Sequence, residues 1–544
     1  MKSLKTRKYD LIALGLILIL FLISIQVRKE NLKAPLSRHH EWITAHSLIT
    51  AEIWDQNGGP SASGFNPVYT YKGEGNAYRR MLGGVTAENG DVYYVSYPPF
   101  SFIYLYYSSQ LFGGPSLFSI RIVSLSVHLI SALLLYFLLG AIRPDSEKKR
   151  MNFAGIIAAG LYIFAQGNLW FQGNLYFADM VVQPLFIAGI LLAIRYLRGD
   201  HKNERVALSL LFIIFFLGAY TEWLGLLSAF FTGLLFLVYA IIKKQKKYLR
   251  PFIVIALGSS LALSLTVYQY SSIDGWDSLK STSEKKYSER SGHGTEQDSA
   301  SKFNIHNEES FEFLKTQFNR NYKALENFIG YAFGALIVML ILGRIKRVSP
   351  TSPTHELKMV VVLFSLTLLP ILTHYLLFFN FNTMHDFSGL KTATFLIIIV
   401  ALIIQITYRI SIHINTYVSW SLLAFFSIFS IIKVIDSTDR YLENHRVDMI
   451  DFDRVNSAII IAEYSSPEQA VFTNVRLSPE QVFYTKHSIS PIKDSDSTAI
   501  LNIMRLHRNT TAQYYHHEGS LLKSMVTIQR QDDNLVFLDT IVFN

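Results

Sequence analysis

The chain has 544 residues, of which 50% are hydrophobic and 17% are charged, and its mean hydropathy is +0.26. This composition excludes an ordinary soluble enzyme of several domains, whose surface would need more charge. The lack of cysteine excludes disulfides, thiolate metal sites and cysteine nucleophiles. The net charge of +9 does not indicate a nucleic-acid partner, because the basic residues form short clusters beside apolar runs.

Eleven apolar runs are long enough, or nearly so, to cross a bilayer as helices. They lie at 11–27, 117–140, 153–168, 177–195, 206–220, 223–242, 252–270, 328–343, 359–379, 393–408 and 417–435. No small-residue cleavage site follows the first run, so we expect a retained helix that also directs insertion. The pattern predicts a polytopic α-helical membrane protein with about eleven transmembrane helices.

Clusters of Lys and Arg alternate with loops that carry almost no positive charge. The clusters precede the first apolar run and follow the second, fourth, sixth and eighth. The loops at 169–176, 220–222 and 380–391 contain Lys391 as their one cation. Because cytoplasmic loops are enriched in Lys and Arg, the N-terminus is predicted to be cytoplasmic and the C-terminus outside. We expect the membrane to be the bacterial cytoplasmic (inner) membrane.

Three long polar segments then fall on the predicted outer side, at 28–116, about 271–327 and 436–544. The middle segment is rich in Ser, Glu, Lys and Gly and is predicted to be a flexible loop with little core. In the last segment, 470–474, 481–484 and 535–538 resemble strands, and the stretch around 498–507 resembles a helix. The chain is therefore divided into a transmembrane domain, 1–435, and a small extracytoplasmic α/β domain, 436–544.

Residues of the kinds used in catalysis lie near the outer ends of the predicted helices. The first outer loop contains Arg38-His39-His40-Glu41 and later Tyr97-Pro98-Pro99-Phe100, ahead of an aromatic segment. A Pro-Pro pair in this setting predicts a helix start at the membrane interface. Ser119-Ile120-Arg121 then opens the second helix, and Asp179 lies at the outer end of the fourth.

An early acidic residue, a Pro-Pro element and Ser-x-Arg in this order resemble the GT-C superfamily of membrane glycosyltransferases. The similarity is to the branch with protein O-mannosyltransferases and aminoarabinose transferases, and it extends over residues 8–270, more weakly beyond. It implies inverting transfer of a sugar from a polyprenyl-phosphate donor to a lipid, glycan or protein acceptor on the outer face. Two positions depart from the family: His40-Glu41 replaces the frequent Asp-Glu pair, and Tyr97 replaces a frequent basic residue.

The resemblance implies that Glu41, tuned by His40, takes the proton from the acceptor hydroxyl as it attacks. Asp179 would orient the acceptor or hold a metal ion. The structural alternatives are that Glu41 is a surface charge and that Asp179 is an interfacial helix cap. The sequence establishes no cofactor, and a divalent cation at Asp179 or at His385-Asp386 stays open.

The leaving phosphate needs positive charge where its own charge develops. Arg121 and Arg38 are the candidates, with Lys391 behind them, although arginines near helix ends also snorkel to the interface. Glu222 would line the site or complement a helix dipole. The predicted substrate-binding residues are Arg38, His46, Tyr97, Arg121, Glu222, His385, Asp386 and Lys391.

Two other functions stay open. A transporter or flippase of lipid-linked glycans would place polar residues at mid-bilayer and contain inverted repeats. Here the acids lie at outer helix ends and no repeat is visible. An O-antigen ligase or polymerase would place its key cations in a large late loop, and the segment 271–327 contains Arg290 and His293.

Overall fold

The computed structural model describes residues 4–71, 84–88, 90–143, 151–293, 303–345, 353–466, 469–487, 489–492, 496–506, 511–531 and 534–543. The helices in these ranges are α1 Leu4–Lys33, α2 Glu41–Gln56, α3 Phe100–Gln110, α4 Leu117–Ala141, α5 Phe153–Phe164, α6 Gln166–Phe171, α7 Ala178–Arg198, α8 Glu204–Ala219, α9 Trp223–Lys243, α10 Leu249–Ser291, α11 Glu308–Ile345, α12 Pro353–Leu377, α13 Phe379–Met384, α14 Gly389–Ile414, α15 Thr416–Asn444, α16 Phe452–Tyr464, α17 Pro479–Thr485 and α18 Ser497–Leu506. The strands are β1 Gly84–Thr86, β2 Val92–Tyr94, β3 Ala470–Thr473, β4 Ile489–Pro491, β5 Thr511–Glu518, β6 Leu521–Gln531 and β7 Asn534–Val542.

All eleven apolar runs form helices, which confirms the predicted polytopic helical fold. Within the described ranges, nine helices are long and apolar enough to cross a membrane: α1, α4, α7, α9, α10, α11, α12, α14 and α15. The other two runs form α5 and α8, of 12 and 16 residues. The run at 153–168 is interrupted because the backbone of Ala165 is extended between α5 and α6.

Side-chain caps explain where several of these helices begin. The Ser116 hydroxyl accepts a hydrogen bond from the Ser119 amide at the start of α4. The amide side chains of Asn152, Asn203 and Asn415 cap α5, α8 and α15 in the same way. Such caps satisfy backbone N–H groups that a helix start leaves without partners.

The helices are arranged around a buried centre. The apolar window of α7 is 72% buried and that of α4 is 61% buried, whereas that of α15 is 11% buried. The outer helices expose large apolar side chains, such as Ile428, Ile431 and Ile432 on α15. An apolar exterior of this kind suits contact with lipid rather than water.

The segment 271–327 is largely helical, so the prediction of a loop is wrong for 271–291 and 308–327. α10 continues to Ser291 after a break at Asp274 and Gly275, and α11 begins at Glu308. The Glu and Lys residues that indicated a solvated loop are also good helix formers. The prediction for 294–302 lies outside the described residues.

The C-terminal segment contains a five-stranded sheet in the order β4-β3-β5-β6-β7, with β3 parallel to both neighbours. The predicted strands at 470–474 and 535–538 correspond to β3 and β7, and the helix predicted near 498–507 to α18. The strand predicted at 481–484 is wrong, because Ser478 forms a capping box and Pro479 takes the first position of α17. α15 runs past 435 to Asn444, and the domain division there stays a prediction.

Candidate active site

A cavity of about 530 Å³ lies where α2, α10 and the segment after α12 meet the C-terminal sheet region. The side chains that line it include Trp42, His46, Lys286, Glu289, Arg290, Asn380, Phe381, His385, Arg454, Arg476 and Gln481. All three segments predicted on the outer side contribute to this lining. Of the predicted site residues, His46 and His385 line the cavity.

Arg290 is held in a fixed position at this cavity. Its Nη1 donates a hydrogen bond to the carbonyl oxygen of Ser96 at 3.1 Å. Its guanidinium lies over two aromatic rings, 4.5 Å from the centroid of Tyr97 and 5.2 Å from that of Phe381. The Arg290 guanidinium therefore places a positive charge against Tyr97, although Tyr97 itself is not basic. Sequence spacing gives no signal for this contact, because α10 is far from Tyr97 along the chain.

Glu41, at the start of α2, is fully buried and uses both carboxylate oxygens. Oε1 accepts a hydrogen bond from Nη2 of Arg121 at 2.7 Å. Oε2 accepts from the backbone amides of Ser37 and Arg38, each at 3.0 Å. The Arg38 side chain donates to Asn31 and lies over the ring of Trp170. These residues form a buried charged cluster outside the described cavity lining, and a role for Glu41 as general base stays a prediction.

Asp179 belongs to a buried network that joins four helices. The Lys391 ammonium of α14 lies 2.8 Å from Oδ1 of Asp179 and 3.3 Å from Oε1 of Glu222. His374 of α12 contacts the same Glu222 oxygen at 2.8 Å, and the other Glu222 oxygen caps α9. The expected cation Lys391 is thus paired with two carboxylates in this structure.

The segment after α13 brings Asp386 to the first outer loop. Nε2 of His39 and Nε2 of His40 each lie 3.0 Å from this carboxylate, and Asn321 donates to it at 2.9 Å. The ligand atoms of the two histidines and Asp386 lie within 4.8 Å of one another. Two imidazole nitrogens and a carboxylate oxygen are donors that suit zinc.

The hydrogen bonding of His40 does not fit a metal ion in this cluster. The indole N–H of Trp42 donates to Nδ1 of His40 at 3.3 Å. An indole nitrogen can only donate, so Nδ1 accepts and the proton of the neutral imidazole lies on Nε2. Nε2 then faces Asp386 as a donor and has no lone pair for a metal. We therefore assign a hydrogen-bonded cluster and derive no chemical step through a metal.

The two cavity-lining histidines are uncharged at neutral pH. Burial lowers the pKa of His46 to about 3, and the nearby Arg476 lowers it further in the same direction. Burial also lowers the pKa of His385 to about 3, with smaller effects from His40 and Arg290. The cavity thus combines neutral imidazoles with guanidinium groups, a combination that suits an anionic ligand.

The fold is similar to that of solved membrane transferases, although neither a protein-family model nor a curated protein sequence matches the chain. ArnT from Cupriavidus metallidurans, bound to undecaprenyl phosphate, is 11% identical, with a TM-score of 0.55 and 97% of each chain covered. The archaeal oligosaccharyltransferase AglB from Archaeoglobus fulgidus, in complex with an inhibitory peptide and a dolichol-phosphate, is 9% identical, with a TM-score of 0.52. That match covers 92% of this chain and 69% of the AglB chain. The chain therefore has the fold of the GT-C membrane glycosyltransferases that its sequence resembles.

Proposed function

We propose that this protein is a membrane glycosyltransferase that moves a sugar from a polyprenyl-phosphate donor to a lipid, glycan or protein acceptor on the outer face. The observation that carries the proposal is Arg290, fixed over Tyr97 in the cavity between the helices and the C-terminal region. The fold supports it, since the ArnT neighbour was solved with undecaprenyl phosphate and the AglB neighbour with a dolichol-phosphate.

Arg290 would bind the donor phosphate. As the bond between the anomeric carbon and the phosphate oxygen breaks, the electron pair stays on the phosphate, and a fixed guanidinium stabilises the growing charge. Tyr97 and Phe381 hold the guanidinium in place through their ring faces. Arg290 thereby takes the part of the basic residue that the related enzymes often have next to their Pro-Pro pair.

The acceptor oxygen would attack the anomeric carbon from the side opposite the phosphate, which inverts that centre. A hydroxyl acceptor must then lose its proton to a base. The resemblance assigns this role to Glu41, whose carboxylate would have to exchange a hydrogen bond to reach the acceptor.

The experiment is transfer of labelled sugar from a series of polyprenyl-phosphate donors by the purified full-length protein. We expect Arg290→Gln to lower kcat/KM by about 100-fold or more, as for loss of one preorganised charge-stabilising donor. Arg446→Gln is the matched control, because Arg446 is exposed and pairs with Asp448 away from the cavity lining. The proposal is wrong if wild type transfers from no such donor, or if Arg290→Gln keeps full turnover.

The position of Arg290 within 271–327 also favours the second candidate, an O-antigen ligase or polymerase. Such an enzyme would take a whole lipid-linked glycan rather than a single sugar. The donor series therefore includes a polyprenyl-pyrophosphate oligosaccharide. Transfer from that donor alone would select the second candidate.

A further inference from the structure

Cationic side chains outnumber carboxylates in the described lining of the cavity. Four cationic side chains line it, Lys286, Arg290, Arg454 and Arg476, against the single lining carboxylate of Glu289 among the described residues. Lys286 and Glu289 form an ion pair, so their charges offset each other. The other lining cations are three guanidinium groups, of which Arg290 is assigned to the donor.

The other two guanidiniums come from a different wall. Arg454 lies in the first turn of α16 and Arg476 follows β3, so both belong to the C-terminal region, whereas Arg290 belongs to α10. The electrostatic neighbours differ as well. Arg476 lowers the pKa of His46, and Arg290 lowers that of His385. The guanidinium groups therefore reach the cavity from two different walls, α10 and the C-terminal region.

The C-terminal wall is attached firmly enough to present these charges. The backbone amide of Leu36 donates to the Tyr484 hydroxyl at 2.6 Å, and Lys486 forms an ion pair with Glu52 of α2. α2 also carries Trp42 and His46 into the cavity. These contacts hold the C-terminal region, with its two arginines, against α2 and the segment before it.

Both arginines are able to meet a ligand. The Arg476 side chain is exposed, and Arg454 pairs with Asp451 at 3.4 Å in a bridge whose members are 41% and 34% exposed. An exposed pair of this kind contributes little, so an anion of the ligand can compete with Asp451 for the guanidinium. Guanidinium groups bind carboxylate and phosphate oxygens through paired hydrogen bonds.

We propose that the acceptor carries an acidic group, a phosphate or a carboxylate, which Arg476 and Arg454 recognise while the donor phosphate lies at Arg290. This inference rests on the proposed function and specifies the substrate class of the same cavity. Arg476 and Arg454 are specificity-determining residues in this scheme and take no part in bond breaking.

Binding to the full-length protein in detergent, at low ionic strength, tests the two anion sites separately. The acceptor probes are maltotriose, its phosphate monoester and trigalacturonate, and the donor-site probe is undecaprenyl phosphate. The variants are Arg476→Gln and Arg290→Gln, with Arg446→Gln as the exposed control. Isothermal titration gives each affinity without requiring turnover, and thermal unfolding checks that each variant is folded.

We expect at least one anionic trisaccharide to bind about tenfold or more tightly than maltotriose, as for hydrogen bonds to a charged group. Arg476→Gln should remove that preference and leave the affinity for undecaprenyl phosphate unchanged. Arg290→Gln should weaken the binding of undecaprenyl phosphate and leave the preference for the anionic trisaccharide unchanged. The phosphate ester and trigalacturonate show which acid is preferred. Equal binding of all three trisaccharides, or a preference that survives Arg476→Gln, overturns the inference while donor binding still supports the proposed function. Failure of undecaprenyl phosphate to bind counts against the proposed function instead.

Discussion

The ion pair of Glu41 and Arg121 is shielded from water, with side chains 0% and 4% exposed and a distance of 2.7 Å. Removing one partner leaves a buried charge without compensation, which costs about 3–5 kcal/mol. We therefore expect Glu41→Gln to unfold at a clearly lower Tm than wild type in the same detergent. Thermal unfolding followed by circular dichroism measures the change.

The double variant Glu41→Gln/Arg121→Gln separates the structural role of Glu41 from a catalytic one. Its loss of stability should be smaller than the sum of the two single losses, because neither charge is then left alone. A general-base role adds a decrease in kcat per folded molecule of about 100- to 10,000-fold. Unchanged Tm in Glu41→Gln would contradict the buried pair, and unchanged kcat would contradict the base.

The buried imidazole of His46 predicts a loss of stability in acid. The pKa of His46 is about 3 in the folded protein and 6.5 ordinarily. Between these pH values the unfolded chain binds a proton at His46 and the folded chain does not. The stabilisation is complete above pH 6.5 and is lost as pH falls toward 3, by up to about 1.4 kcal/mol per pH unit for one histidine. His46→Asn should make Tm depend less steeply on pH between these limits.

The control for this slope is His516→Asn, since His516 is exposed on β5. Its pH dependence should equal that of wild type. His385 contributes to the acid sensitivity in the same direction, so the slope of His46→Asn is reduced but not abolished. A His46→Asn slope identical to that of wild type would rule out this account.

At the scale of elements, the network around Lys391 joins α7, α9, α12 and α14. Because one ammonium serves both Asp179 and Glu222, Lys391→Met leaves two buried carboxylates without a cation. We expect it to cost at least about 3–5 kcal/mol and to exceed the loss for Asp179→Asn, which keeps the contact between Lys391 and Glu222. Thermal unfolding in detergent compares the two, and adding Asp179→Asn to Lys391→Met should recover part of the loss. Equal stability of Lys391→Met and wild type would show that the network has no structural role.

At the scale of the whole molecule, the lack of cysteine makes the orientation directly measurable. Ser61 and His516 are exposed in two segments that contribute to the cavity lining, and Lys202 is exposed in the loop between α7 and α8. With single-cysteine variants at these three positions, we expect a membrane-impermeant maleimide to label Ser61→Cys and His516→Cys in intact cells. Lys202→Cys should react only after permeabilisation. The reverse pattern would invert the predicted topology and remove the site from the outer face.

Local apolar runs are enough to identify the class of protein, because a transmembrane helix satisfies its own backbone hydrogen bonds. All eleven runs were therefore found without any knowledge of contacts. The stretch 481–484 was misassigned because the cap at Ser478, and not the β-forming side chains that follow, decides its structure. The segment 271–327 was misassigned because residues that favour solvent also favour helix.

Which charged side chains meet depends on how the helices pack. The sequence named Arg121 and Lys391 as phosphate ligands, but packing pairs Arg121 with Glu41 and Lys391 with Asp179 and Glu222. Packing also places Arg290 of α10, which is far from Tyr97 along the chain, over the Tyr97 ring. Contacts between residues far apart in the chain depend on how whole helices pack, and hydrophobic periodicity carries no information about them. The helices thus follow from local chemistry, and the composition of the cavity follows from their assembly.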